Sequence, residues 1–306
     1  MIKRFYKIHD FHFSLSTNCD NAGVRLERLF PALHTETAEC STEWHFQRVA
    51  EHAGLPLYTV YANGKAALQS DTLSKALDYV EWSITTRILH THSHFLQIHA
   101  AALVFGERAL VISGPPGSGK SSLALSLLLQ GWGFLSDEIV FLDPSSYRIF
   151  SFPRNLHVSS ETLRHFPTLE RGYEVCSSTD ASGKSRIDAA LIPGSVVMTS
   201  ALPWSLVFPD HRPDYITALT PLGKTASLAL LTAQTINLGE FGMRGLEALS
   251  HFVGTCDSYT LTSSDLISAS RALSRFGENT TPLCINDNHS GKIDRNKNIT
   301  MPIGVS

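Results

Sequence analysis

Eight residues near the middle of the chain read Gly114-Pro115-Pro116-Gly117-Ser118-Gly119-Lys120-Ser121. The run satisfies the pattern G-x-x-x-x-G-K-[ST], whose glycines let successive backbone N–H groups converge on the phosphates of a nucleotide. In this pattern Lys120 reaches the β- and γ-phosphates, and the Ser121 hydroxyl is a ligand of Mg²⁺. The pattern predicts a phosphate loop that binds a nucleoside triphosphate, and we include the following Ser122 among the predicted nucleotide-binding residues.

The sequence on either side of the loop has the order that a phosphate loop requires. Ala109–Ser113 (ALVIS) is an apolar run typical of a buried strand, and Ile98–Phe105 predicts another strand before it. After the loop, Lys120–Gln130 (KSSLALSLLLQ) predicts a helix that ends at Gly131. The N-terminus of such a helix adds roughly half a positive charge to the phosphate site. This order is that of an α/β core, and it disfavours a chance match.

An acidic pair, Asp137-Glu138, follows 17 and 18 positions after Lys120. Its flanks, Phe134-Leu135 and Ile139–Leu142, are apolar and predict one further strand. A phosphate loop needs an acidic residue nearby that holds the metal ion directly or through water. Because neighbouring residues of a strand point to opposite faces, we expect only Asp137 to face the nucleotide, with Glu138 as the second candidate metal ligand. The alternative is an acidic pair in a surface turn.

With these residues in place, the sequence resembles the HPr serine kinase/phosphorylase family, in its branch of HPr-kinase-related kinase A. In that family a His-Gly-Val-Leu-Val strand precedes the loop, a glycine closes the helix, and an Asp-Asp pair follows. Here the first stretch is His99-Ala100-Ala101-Ala102-Leu103, whose histidine lies 21 residues before Lys120. Gly131 lies 11 residues after that lysine, and the acidic pair lies at 137–138. The resemblance covers about residues 98–142.

The resemblance implies an α/β fold with a P-loop kinase core like the C-terminal domain of HPr kinase, which is itself similar to phosphoenolpyruvate carboxykinase. It also implies catalytic roles for three residues. Asp137 is similar to the family's aspartate that acts on the acceptor hydroxyl as a general base or helps to hold Mg²⁺. His99 is similar to the histidine near the γ-phosphate, and Lys120 to the lysine of the loop. The alternative for His99 is a core histidine with a satisfied partner.

Three departures from the family pattern affect the expected reaction. Ser122 stands where the family has a glutamate, and Glu138 stands where it has the second aspartate. The glutamate- and glycine-rich signature of bifunctional HPr kinases is not recognisable further along the chain. These departures disfavour the reverse, dephosphorylating reaction and HPr itself as the substrate. The forward, kinase reaction needs fewer catalytic elements than the reverse reaction, so it remains the expected activity.

Three basic residues beyond the acidic pair are candidate substrate contacts. Arg154 follows the next predicted strand, where a guanidinium can clamp an acceptor or the γ-phosphate. Lys184 and Arg186 lie in the short stretch Ser182–Arg186 (SGKSR), which reads as a loop. For all three residues the alternative is a solvated basic side chain at the surface.

The composition limits the classes of protein to which the chain can belong. The chain has 306 residues, of which 43% are hydrophobic and 17% charged, as in an ordinary globular protein. A formal net charge of −3 gives no electrostatic case for binding nucleic acid or a membrane surface. The five cysteines form no CxxC pair, which disfavours a disulfide framework and a zinc site and fits a reducing cytoplasm. We see no signal peptide and no apolar run long enough to span a bilayer.

We expect three regions along the chain. Residues 1–90 form a small α+β N-terminal region whose role, recognition or oligomerisation, the sequence leaves open. It includes a strand at Phe11–Thr17 and a helix over Asp71–Ile88 with Asp71 as its N-cap. Residues 91–277 form the P-loop HPr-kinase-like catalytic domain. Residues 278–306 are polar and read as a disordered tail.

The favoured hypothesis from the sequence is a cytoplasmic kinase that uses ATP and Mg²⁺ to phosphorylate a hydroxyl. By family analogy the acceptor is a serine of a small protein or peptide. One alternative is a small-molecule kinase or a carboxykinase-like enzyme on the same core. Another is a nucleotide-sensing protein in which Ser122 and Glu138 mark lost catalysis. A homo-oligomer is compatible with the resemblance, because HPr kinases form hexamers.

Overall fold

The computed structural model of the chain describes residues 1–280 except 38, 53–54, 168, 170–175 and 181. Its strands are β1 (Ile2–Ile8), β2 (Phe11–Thr17), β3 (His34–Thr35), β4 (Thr42–His52), β5 (Leu55–Ala62), β6 (Lys65–Ser70), β7 (Leu96–Phe105), β8 (Arg108–Ser113), β9 (Gly133–Ser136), β10 (Ile139–Leu142), β11 (Ile149–Phe150), β12 (Leu156–Val158), β13 (Cys176–Thr179), β14 (Ser185–Ile187), β15 (Ser200–His211), β16 (Ala218–Pro221) and β17 (Asp257–Ser263). Its helices are α1 (Asp20–Glu27), α2 (Leu73–Thr91), α3 (Lys120–Leu128), α4 (Ser160–Arg164), α5 (Lys224–Ala233), α6 (Leu238–Phe241), α7 (Met243–Thr255) and α8 (Leu266–Thr280). The last helix includes the first three residues of the expected tail at 278–306, and the rest of that tail lies outside the described residues.

β1 to β6 form a six-stranded sheet in the order β3-β1-β2-β4-β5-β6. β2 and β4 are parallel, and the other neighbours are antiparallel. Alternate residues of these strands are apolar and buried, as in a sheet with one covered face, among them Tyr6, Phe13, Leu15, Trp44 and Phe46. That face packs against α1 and α2 to form one hydrophobic core. The strand predicted at Phe11–Thr17 is confirmed.

α2 covers this sheet with an apolar face that contains one acid. The helix begins at Leu73 with Thr72 as its N-cap, so the prediction of Asp71 as N-cap is wrong by one residue. Thr72 has extended backbone angles, φ −123° and ψ 137°, and its N–H donates to the Ser70 hydroxyl at 3.2 Å. The buried residues follow the spacing of one helical face: Ala76, Leu77, Val80, Ile84 and Ile88. Glu81 lies buried in the same face.

The main sheet has the strand order β11-β10-β7-β8-β15-β17-β16, and β9 also pairs with β7. β8, β15 and β17 run parallel to one another. β9 and β10 both pair antiparallel with β7: Ser136 lies opposite Ala102 and Ile139 opposite His99, and the register of β9 shifts between Ala102 and Leu103. Between them Asp137 and Glu138 form a bend. The single strand predicted over 134–142 is therefore interrupted at its acidic pair.

Helices cover both faces of the main sheet. Alternate residues of β7 and β8 enter two different cores, Ala101, Leu103, Leu110 and Ile112 on one face and Ala100, Ala102, Val104, Ala109 and Val111 on the other. The first core also contains residues of α3 and α8, and the second contains residues of α5 and α7. The fold is thus mixed α/β, with a three-layer core beside the N-terminal sheet.

The strand ends of the main sheet determine where the site lies. The phosphate loop follows β8, His211 ends β15, and Ser264-Asp265 follows β17. Because these three strands are parallel, their C-terminal ends lie at one edge of the sheet, where ligands bind in open α/β folds. A small antiparallel sheet of β12, β14 and β13 places His157 opposite Arg186. Among the described residues, no helix has both the length and the apolar character needed to cross a membrane.

Candidate phosphate-binding site

The loop after β8 turns through two left-handed glycines into α3. Gly117 and Gly119 have φ angles of +81° and +90°, which residues with a Cβ atom rarely adopt. Gly119 is the N-cap of α3, and the Ser118 N–H donates to the Pro115 carbonyl at 3.2 Å. A Cβ atom on Gly114 would lie 2.9 Å from the Ser118 hydroxyl oxygen. Backbone conformation therefore favours glycine at positions 117 and 119, and steric contact favours it at position 114.

Lys120 folds back over this loop. Its Nζ donates to the carbonyl oxygens of Gly114 at 2.8 Å and Pro115 at 3.0 Å. The residue is only 6% exposed, and this burial lowers the pKa of Lys120, partly offset by the charges of Asp137 and Glu138. A buried ammonium bound only to neutral carbonyls is well placed to exchange one of them for an anionic ligand.

Substituting Gly119 tests the geometry of the loop. Gly119→Ala is expected to lower the free energy of unfolding by about 1–2 kcal/mol, the cost of left-handed backbone for a residue with a Cβ atom. No atom lies within 4 Å of the added methyl group, so the cost is conformational rather than steric. Gly254→Ala, in α7 with equally open space, is expected to raise stability by up to about 1 kcal/mol. Denaturant unfolding of both variants measures this, and a loss of the same size in both would contradict the loop geometry.

Asp137 lies behind the loop as a buried acid. It is 5% exposed, and burial raises the pKa of its carboxyl group to about 6, although a hydrogen bond from Ser121 lowers it. Its Oδ1 atom has no hydrogen-bond partner among the described residues. An ionisable oxygen with an open position and a pKa near neutrality suits a metal ligand or a general base.

Asp137 and Glu138 both line one cavity, which corrects the expectation that only one carboxylate of the pair faces the site. The two residues form a bend between β9 and β10, so the alternation of a regular strand does not apply to them. The Glu138 side chain is 50% exposed and forms an ion pair with the guanidinium of Arg154. Glu138 thus lines the cavity while already bound to a cation.

His99 lies at the wall of the same cavity. Its backbone N–H donates to the Gln234 carbonyl at 2.8 Å, and its Nδ1 lies 3.3 Å from Gln234 Oε1. Burial lowers the pKa of His99, and the nearby charge of Lys120 lowers it further. The imidazole is therefore neutral at pH 7, and with Nδ1 donating to Gln234 its Nε2 is an acceptor.

Of the three predicted substrate contacts, Arg154 and Lys184 line the cavity in different ways, whereas Arg186 is buried outside it. The Arg154 side chain is 10% exposed, and its Nη2 donates to Glu81 Oε1 at 2.9 Å. Lys184 has an exposed side chain, and its N–H donates to Asp180 Oδ1 at 2.9 Å. Arg154 is therefore a buried, ion-paired residue, whereas the Lys184 ammonium is solvated.

Ser122 joins the first turn of α3 to α4. Its hydroxyl lies 2.8 Å from the Thr162 hydroxyl, so the two share a hydrogen bond. Ser159 is the N-cap of α4, and its hydroxyl accepts a hydrogen bond from the Thr162 N–H at 3.2 Å. The position that carries a glutamate in the family pattern thus serves here as a neutral link between two helices.

The cavity has a volume of about 970 Å³, within the range of small-molecule sites. It is lined by the loop residues Pro116 to Leu123, both acids of the bend, and the ends of β15 and β17. Four of its side chains have a buried polar atom with no hydrogen-bond partner among the described residues: Ser118 Oγ, Asp137 Oδ1, Arg154 Nε and Asn155 Oδ1. Buried polar groups normally have partners, so their convergence indicates a site built for a polar ligand.

A network of buried charges beside the cavity has no counterpart in the sequence patterns. Glu81 Oε1 lies 3.1 Å from His157 Nε2, and Glu81 Oε2 accepts from Arg186 Nε at 2.9 Å. His157 Nδ1 lies 3.0 Å from Asp180 Oδ2. These residues come from α2, the small sheet and a loop, so no local pattern joins them. The one available signal was an acid within the apolar face of α2.

The residues present fit Mg²⁺. Mg²⁺ prefers oxygen ligands, and the Ser121 hydroxyl and the open Asp137 oxygen are two candidates for them. Glu138 is the weaker ligand because Arg154 already neutralises it. Over the described part of the chain, no three His, Cys, Asp or Glu side chains cluster so as to hold a metal ion. Further ligands would come from phosphate oxygens and water, as is usual for Mg²⁺.

Comparison with known proteins adds little to this geometry. No protein-family model matches the chain, and no curated protein matches it. Among solved structures, the chain is similar to the Hpr(Ser) kinase/phosphatase from Coxiella burnetii at 13% sequence identity and a TM-score of 0.31. The match covers 60% of this chain and 98% of that one. A likeness this weak carries no weight for function, which therefore rests on the residues of the site.

Proposed function

We propose that the chain is a kinase that uses ATP and Mg²⁺ and transfers the γ-phosphoryl group to a hydroxyl, that of a serine in a small protein or peptide. One observation carries the proposal: a glycine loop with a buried lysine lies in the same cavity as a buried acid with an open oxygen. Phosphoryl transfer depends mainly on positioning and on stabilising charge, and this arrangement supplies both.

In the proposed mechanism the loop residues bind and orient the triphosphate. The backbone N–H groups of the loop and the N-terminus of α3 face the phosphates. Lys120 gives up its carbonyl partners and donates to the β- and γ-phosphates, where it stabilises negative charge in the transition state. Ser121, together with phosphate oxygens and water, would hold Mg²⁺, which when bound would neutralise charge on the β- and γ-phosphates. Asp137 is kept for the proton of the acceptor.

Two groups are available for the proton of the acceptor hydroxyl. Asp137, with its pKa raised to about 6 by burial, is ionised at pH 7 and basic enough to accept that proton. His99 is neutral and offers Nε2 as a second acceptor. We assign the proton to Asp137 and the orientation of the hydroxyl to His99. Arg154 is the candidate clamp on the acceptor side.

Transfer of label from γ-³²P-ATP to lysate proteins depleted of small molecules tests the proposal. A labelled small protein or peptide is expected with the wild-type chain and Mg²⁺, and not with Asp137→Asn. Labelled metabolites in a lysate that keeps its small molecules, with no labelled protein, would replace the protein kinase by a small-molecule kinase or carboxykinase-like enzyme.

The ion pair between Glu138 and Arg154 favours a second candidate, a nucleotide-binding sensor without transfer. In that case each of these side chains already has its partner in the cavity and contacts no acceptor. A sensor binds Mg²⁺-ATP but labels no protein and no metabolite, and Asp137→Asn changes only its affinity for the metal. Binding without any transfer in the labelling experiment would establish this candidate.

A further inference from the structure

Glu81 connects α2 to the wall of the phosphate-loop cavity although it does not line the cavity itself. Its Oε1 atom accepts from Arg154 Nη2 at 2.9 Å and lies 3.1 Å from His157 Nε2. Both partners line the cavity. The Oε2 atom accepts from Arg186 Nε at 2.9 Å, and Arg186 does not line the cavity. One carboxylate thus orients two cavity side chains at the same time.

The charges of this network are strongly coupled. Burial alone raises the pKa of Glu81, but the hydrogen bond from His157 and the charges of Arg154 and Arg186 outweigh it and lower that pKa well below its usual range. Burial lowers the pKa of His157, yet Glu81 and then Asp180 raise it above the ordinary value. His157 has a carboxylate at each ring nitrogen, which favours the imidazolium. Glu81 is therefore an anion that keeps two cations in place.

The Arg154 guanidinium is held in one orientation by two acids. Its two terminal nitrogens bind different acids, Glu81 from α2 and Glu138 from the bend. A planar guanidinium held at two corners has a fixed orientation. Its Nε–H has no partner among the described residues and belongs to a side chain that lines the cavity. Without Glu81, the remaining tie to Glu138 would let the guanidinium rotate.

We propose that Glu81 is a positioning residue of the site: it fixes Arg154 and His157 so that their cationic groups meet the transferring phosphoryl group or its acceptor. The proposal rests on the proposed function for its effect on turnover, but not for the arrangement of side chains it describes. It gives the N-terminal part of the chain a role in the site, because α2 supplies the anion that the cavity wall needs.

The test compares Glu81→Gln with Asp78→Asn. Asp78 lies one turn before Glu81 on α2 and pairs with Arg186, which does not line the cavity. Asp78→Asn therefore replaces a carboxylate by an amide, as Glu81→Gln does, at an acid that pairs with a residue outside the cavity wall. Turnover of Mg²⁺-ATP with water as acceptor is measured for both at a temperature where each is folded. Glu81→Gln is expected to lower kcat about 10- to 100-fold, the cost of a misplaced catalytic contact, with KM for ATP changed less than about threefold. Asp78→Asn is expected to stay within about twofold of the wild type.

A spectroscopic measurement separates this inference from the proposed function. The Arg154 Nε–H and His157 ring signals, followed by NMR, are expected to shift in Glu81→Gln, and the midpoint of the His157 titration to fall. Both are expected to remain in place in Asp78→Asn. If the wild-type chain shows no turnover, these signals still decide the matter: a shift in Glu81→Gln alone supports positioning, and equal shifts in both variants, or none, overturn it.

Removing one partner of a buried ion pair is strongly destabilising, so a third variant, Glu81→Asp, guards against loss of the fold. Aspartate keeps the negative charge at position 81 but has a side chain shorter by one methylene group. A fall in kcat smaller than that of Glu81→Gln, with a smaller shift of the Arg154 signal, is expected. Unchanged kcat and unchanged signals in Glu81→Asp would overturn the inference, as would equal losses of kcat in Glu81→Gln and Asp78→Asn.

Discussion

Lys120→Ala is expected to lower the rate of phosphoryl transfer about 100- to 1,000-fold, the usual cost of losing one preorganised donor to transition-state charge. The residue is buried in the loop, and its Nζ donates to two neutral carbonyl oxygens, those of Gly114 and Pro115. Its ammonium is thus free to move to the phosphates. Single-turnover measurement of phosphate release from Mg²⁺-ATP gives the effect.

The matched control for this substitution is Lys75→Ala. Lys75 is an exposed lysine of α2 whose nearest acid, Asp71, lies 3.8 Å away at the surface. Exposed pairs of this kind contribute little to stability, and no change beyond about twofold is expected. Equal rates for Lys120→Ala and the wild type would remove Lys120 from the mechanism.

Asp137→Asn is expected to have two effects of opposite sign. Transfer falls about 100- to 10,000-fold, the contribution of a general base. At the same time the ligand-free chain becomes more stable at pH 7, by up to about 3 kcal/mol at about 1.36 kcal/mol for each pKa unit, since burial raises the pKa of Asp137 from 3.8 to about 6. A structural acid that supports the fold would show the reverse change in stability.

The pH dependence follows from the direction of that shift. Below about pH 4 the carboxyl group is protonated in both the folded and the unfolded chain, and the variant gains little. Between pH 4 and about 6 the unfolded chain releases this proton while the folded chain retains it, so wild-type stability falls as the pH rises. Above about pH 6 the gain of Asp137→Asn is complete. Denaturant unfolding at pH 4 and pH 8 measures it.

Asp188→Asn is the control for Asp137→Asn. Asp188 is also a buried aspartate with a pKa raised by burial, but it does not line the cavity. It accepts the Ala190 N–H at 2.9 Å, so its substitution affects local stability and leaves transfer unchanged. Loss of transfer in both variants would indicate a general effect of removing buried acids.

The phosphate loop and its neighbours could be predicted because their signals are local. The apolar run before Gly114 and the helix after Lys120 give the strands β7 and β8 and the helix α3 within a few residues. Glycine spacing alone indicates the left-handed positions at Gly117 and Gly119. Here sequence pattern and backbone geometry report the same physical requirement.

The bend and the charged network could not be predicted, for different reasons. Asp137 and Glu138 stand inside an apolar run that favours a continuous strand, and only the pairing of β9 and β10 with β7 shows the interruption. Glu81, His157 and Arg186 are brought together by tertiary packing across 76 and 105 positions of sequence. β4 was predictable from its pattern, because Trp44 and Phe46 alternate with polar residues as on a half-buried strand.

Isothermal titration of the ligand-free chain with ATP, with and without Mg²⁺, tests the central claim most directly, because binding at residues 114–121 underlies every later step. The wild-type chain is expected to bind Mg²⁺-ATP with a Kd between about 1 µM and 1 mM, the range of ordinary KM values. Lys120→Ala is expected to weaken binding at least about tenfold, and Lys75→Ala to leave it unchanged. No binding of Mg²⁺-ATP by the folded wild-type chain, or equal affinity in Lys120→Ala, would contradict the account.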